Sequence, residues 1–75
     1  MRISDLQNKI IVNINDGKEI GVITDLEINE VGEIINYYAT PKKSFFSIFS
    51  LNKEIAFKNR NIKKIGEDVI LVEIE

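Results

Sequence analysis

Ser4, Ser44, Ser47 and Ser50 carry hydroxyls that could attack a substrate, and a hydroxyl doing so needs a base to take its proton. The chain has no histidine and no cysteine. That removes the commonest general base, the commonest metal ligand and all thiolate or disulfide chemistry. A lysine or carboxylate would have to serve, and nothing in the spacing pairs one with a serine. Three of the serines fall in an irregular stretch, where turn formation is their ordinary work. Asp25 and Glu27, two apart, would project from one face of a strand and could hold a hard cation or share a proton. The same spacing describes the solvated face of an amphipathic strand, and that simpler account is preferred. Glu67-Asp68 and Asp16-Gly17 read as turns, and no glycine-rich phosphate loop or cluster of metal ligands occurs. No catalytic residue, metal ligand or cofactor site is assigned, so the expected class is a binding module and not an enzyme.

The elements that would position any site are short strands. Ser4-Asp5-Leu6-Gln7 has the form of a capping box, with Ser4 as the cap of a single helical turn. Ile10, Val12 and Ile14 alternate with Ile11, Asn13 and Asn15, predicting a strand whose apolar face carries the first three. Asp16-Gly17 then predicts a hairpin turn that needs positive φ. Ile20, Val22, Thr24, Leu26 and Ile28 keep period two and predict one long strand with a single apolar face. A turn at Glu30–Glu33 leads to a third strand, Ile34 to Thr40, which ends at Pro41. Within it Tyr37 and Tyr38 must face opposite sides, and an outward tyrosine could stack a base or a partner's side chain. Ile55–Phe57 predicts a short strand, 59–65 one helical turn closed by Gly66, and Val69–Ile74 a last strand. The fold expected is all-β: a small antiparallel barrel of five to six short strands with one or two single helical turns.

With 75 residues the chain is one small domain, 1–75, that must use nearly every apolar position in its core. Its longest apolar runs are a few residues, far below the roughly 20 that span a bilayer, and MRISDLQNK has no apolar signal region. A cytoplasmic location is the expectation. The abundance of Ile, Asn and Lys is assigned no functional meaning. The formal charge of −2 divides unevenly: residues 1–40 carry −4, residues 41–64 carry +6 and residues 65–75 carry −4.

NDGKEIGVITDLEIN (15–29), the following Gly32-Glu33-Ile34, and KKIGEDVILVE (63–73) together resemble a PRC-barrel domain. With the opening MRISDLQ, the chain is similar to the YlmC/YmxH-type sporulation protein family in particular. The resemblance covers almost the whole chain in order. It implies the PRC-type barrel and a docking role without catalysis, as in the reaction-centre H subunit and the ribosome maturation factor RimM. One departure is Phe57-Lys58, where many relatives carry Pro-Trp after the fourth strand.

Residues 42–53, Lys-Lys-Ser-Phe-Phe-Ser-Ile-Phe-Ser-Leu-Asn-Lys, break the alternation. Three of the four phenylalanines lie here with Ile48 and Leu51, between lysines. The segment could plug one end of the barrel, or it could present Phe45, Phe46, Ile48, Phe49 and Leu51 to a partner. A protein partner or a second copy is the leading expectation, and the short apolar length argues against stable membrane anchoring. The alternative is RNA or ribosome association through the basic residues Lys42, Lys43, Lys58, Arg60, Lys63 and Lys64, against which the overall acidity (pI ≈ 5.1) counts.

Overall fold

In the computed structural model, which describes residues 1–41 and 54–74, a helical turn α1 (Ile3–Gln7) precedes β1 (Ile10–Asn13). Asp16-Gly17 then reverses the chain as the sequence predicts. Gly17 has φ +71° and donates to the Asn13 carbonyl (2.7 Å), while the Asp16 side chain accepts the Lys18 N–H (2.9 Å). β2 (Lys18–Ile28), β3 (Ile34–Thr40), β4 (Ile55–Phe57), a 3-10 turn (Asn59–Asn61), β5 (Ile62–Ile65) and β6 (Val69–Val72) follow. The spatial order is β4-β3-β2-β1-β6-β5. The outermost strands β4 and β5 are consecutive in the chain and joined through the 3-10 turn, which brings both ends of the sheet to one corner.

β2 holds the two halves together by changing partners. Lys18, Glu19 and Gly21 pair with β1, and Val22 onward pairs with β3. The crossing point is Gly21, at φ +145° and buried, where a side chain would collide with the Thr40 backbone. That requirement is met only by glycine.

Among the described residues four of the five strand pairings are antiparallel, as expected for the barrel, but β1 and β6 run parallel. A parallel pair needs a long connection, and nearly the whole chain lies between these two strands. The core is Ile11, Ile23, Tyr37, Ala39, Phe57, Ile70 and Val72. The expected apolar faces of β1 and β2 are therefore corrected. Ile11 is fully buried while Ile14 is exposed, so β1 turns the face of Ile11 to the core and not the face of Ile10, Val12 and Ile14. In β2 a bulge between Ile23 and Asp25 turns the strand over, so Ile23 before it and Leu26 after it both pack inward.

Three local expectations also change. Arg2, not Ser4, precedes the first helical residue, and its N–H donates to Asp5 (2.7 Å). The helical turn expected over 59–65 stops at Asn61, since Ile62, Lys64 and Ile65 pair with β6 and pairing overrides local preference. β6 ends at Val72; beyond it, asparagine side chains replace the ladder. Asn13 bonds both the N–H (3.2 Å) and the carbonyl (2.8 Å) of Ile74, and Asn61 donates to the Glu73 carbonyl (3.0 Å). The asparagines, given no functional meaning in the sequence, thus hold Glu73 and Ile74 in place.

Candidate interaction surface

Phe45, Phe46, Ile48, Phe49 and Leu51, with Lys42 and Lys43, lie outside the described residues. What the structure does fix is their frame. β3 and β4 are antiparallel neighbours with Ala39 opposite Ile55, so the end of β3 and the start of β4 lie side by side.

The other basic residues lie between the end of β4 and the end of β5 and are not equivalent. Lys58, just past β4, donates to Asn36 Oδ1 on β3 (3.1 Å). Arg60 is exposed in the 3-10 turn. Lys63 and Lys64 are exposed on β5, and Lys63 is paired with Glu73 at 3.3 Å. One of the four cations is thereby offset, and Lys58 is committed to the strand face.

That face carries a network the sequence reading missed. Glu27 Oε1 accepts from Asn36 Nδ2 (2.7 Å) and from the Tyr38 hydroxyl (2.9 Å). The Asn36 and Tyr38 hydrogen bonds, with the Lys58 charge adding to them, hold the Glu27 carboxyl below its ordinary 4.5. The bond to Glu27 raises Tyr38 above its ordinary 10.0, with desolvation adding to it. Asp25 shares that face with Glu27 as expected, but its carboxylate accepts the Leu26 N–H (2.9 Å). The two carboxylates serve separate partners, and among the described residues no three acidic side chains gather as a metal site would require. The signal for the network was the cross-strand register, which places Glu27 opposite Asn36 and Asp25 opposite Tyr38.

The tyrosine pair divides as expected. Tyr37 is buried, stacks on Phe57 (centroids 5.2 Å, interplanar angle 10°) and donates to Asn59 Oδ1 (2.6 Å). Burial raises its hydroxyl pKa. Tyr38 faces outward into the Glu27 network. Phe57 is a core residue at 2% exposure.

The PRC-barrel domain model matches residues 1–75. This chain belongs to the PRC-barrel family. Two Bacillus subtilis (strain 168) proteins are similar to it over nearly their full length. Probable sporulation protein YlmC is 40% identical over 73 residues, covering 96% of this chain and 90% of the relative. Uncharacterized protein YmxH is 36% identical over 76 aligned positions, covering 99% and 89%. No helix among the described residues of this PRC-barrel is long and apolar enough to cross a membrane.

Proposed function

We propose that this PRC-barrel is a non-enzymatic adaptor, associated with sporulation, that docks a protein partner or a second copy of itself through residues 42–53. One observation carries the reading. Neighbouring antiparallel strands such as β3 and β4 need only two to five residues to join them. Here the connection between Pro41 and Glu54 is far longer and holds Phe45, Phe46, Ile48, Phe49 and Leu51. Long connections on a small rigid scaffold are where binding residues concentrate. The sporulation link is supported by the similarity to YlmC. The test compares the solution mass and the co-purifying proteins of the native chain with those of a Phe46→Ser/Phe49→Ser variant. Loss of a dimer or of a specific partner is expected, and an unchanged mass with unchanged partners would refute the reading.

A second reading, RNA or ribosome association, is supported by Lys58, Arg60, Lys63 and Lys64, all exposed within a seven-residue stretch. It requires RNA affinity that falls steeply between about 50 and 200 mM salt. Absent or salt-insensitive binding removes it.

A further inference from the structure

Among the described residues, β2 from Val22 to Ile28 is paired on its β3 side alone, because the β1 ladder stops at Ile11–Gly21. Its other side looks across to α1 over a groove of about 310 Å³, lined by Ile3, Gln7, Ile23, Asp25, Leu26 and Ile28 among others. Ile3 and Ile28 are 55% and 60% exposed, although both are large and apolar. A strand flank with no strand beside it and apolar side chains within reach is the geometry that takes up an extended peptide as an added strand.

Charge narrows the occupant. Between Glu19 and Pro41 the chain carries Glu19, Asp25, Glu27, Glu30 and Glu33 and no lysine or arginine. One of these carboxylates, Asp25, lines the groove itself and reaches a backbone N–H of the strand, that of Leu26. An acidic segment would be repelled there, and a segment with cationic flanks would be drawn in and held in register.

We propose that the α1–β2 groove docks an extended segment of a partner protein whose alternating apolar side chains are flanked by lysine or arginine. The inference rests on reading this PRC-barrel as a docking module, but on residues other than 42–53.

The probe is a synthetic peptide, acetyl-Lys-Lys-Val-Thr-Ile-Thr-Val-Lys-amide, set against the same peptide with every lysine replaced by glutamate. Both are titrated into the full chain while backbone amide resonances are followed. The lysine peptide at up to about 1 mM is expected to shift the amides of Val22–Ile28 and of α1, and the glutamate peptide to leave them in place. Ile3→Ser and Ile28→Lys, at exposed positions that should leave folding intact, are each expected to weaken the affinity about tenfold. Equal effects of the two peptides, shifts confined to other strands, or no shift at that concentration would overturn the inference. So would shifts of the same amides on raising the protein concentration alone, which would make a second copy the occupant. The probe needs no natural partner, so failure of the Phe46/Phe49 test and failure of this one are read separately.

Discussion

A Cβ on Gly21 would overlap the carbonyl oxygen of Thr40, so β2 can pass from the β1 half of the sheet to the β3 half only with glycine there. The φ of +145° forbids a side chain independently of that collision. Gly21→Ala is expected to remove cooperative folding, a loss above about 4 kcal/mol and of the size reserved for broken backbone geometry. Gly17→Ala is the control. Its φ is also positive, at +71°, but nothing lies within 4 Å of the added carbon, and a cost of about 1–2 kcal/mol is expected. Urea unfolding followed by circular dichroism separates the two, and a Gly21→Ala protein as stable as the Gly17→Ala protein would refute the account.

The second prediction concerns the Tyr37–Phe57 stack. Phe57 is nearly fully buried and joins β4 to the core, so Phe57→Ala should cost about 3–5 kcal/mol. Tyr37→Phe keeps the stack and removes only the bond to Asn59, so about 1 kcal/mol is expected. A double-mutant cycle with Asn59→Ala should return most of that figure as coupling. Additive losses would show that the 2.6 Å bond does not tie the 3-10 turn to β3.

Much of this frame was legible in the chain, and the failures share one cause. The DG hairpin, the span of β3, its end at Pro41 and the opposite facing of Tyr37 and Tyr38 follow from rules acting within a few residues. Ile11 is buried because packing against the neighbouring strands chooses which face of β1 meets the core, and Ile23 because the bulge beside it, which exists only relative to a partner strand, changes the phase of β2. Ile62–Ile65 was read as helical for the same reason: its extended form is stabilised by β6, not by its own residues. The α1–β2 groove was equally hidden. It joins Ile3 to Ile28 across a gap in pairing that no spacing along the sequence marks. Of the basic candidates, the cations between β4 and the end of β5 were legible as charge, but the engagement of Lys58 with Asn36 and of Lys63 with Glu73 was not.

Lys9 gives a third prediction, since it is the only buried charged side chain among the described residues. Its Nζ donates to the carbonyls of Gly66 (2.7 Å) and Glu67 (2.5 Å), clamping the β5–β6 turn to the start of β1. Beside it the Ile10 N–H donates to the Asp68 carbonyl (3.0 Å). Lys9→Met keeps the aliphatic stem and removes the donors, leaving two turn carbonyls to find other partners. A loss of about 1–3 kcal/mol is expected, with amide exchange faster at Ile10 than at Ile23. Uniform acceleration at both amides would mean that Lys9 does not act on the turn.

The fourth prediction is the pH response of the Glu27–Tyr38 pair. Glu27 has a folded pKa below its ordinary 4.5, so its contribution to stability is present above 4.5 and is lost as pH falls through the folded value. Tyr38 has the opposite sign. Its folded pKa lies above 10.0, so the contribution is present below 10.0 and is lost as pH rises through the folded value. Between those limits the pair should hold β2 to β3 without change. Both groups are exposed, so the readout is site-specific: carboxyl and ring resonances followed by NMR across the two ranges. Asn36→Ala should move Glu27 back toward 4.5 further than Tyr38→Phe does, because the Asn36 bond is the larger influence. It should also release Lys58, whose hydrogen bond on this face is to Asn36. A Glu27 that titrates at or above 4.5 in the native chain, or that ignores Asn36→Ala, would show that the network does not persist in solution.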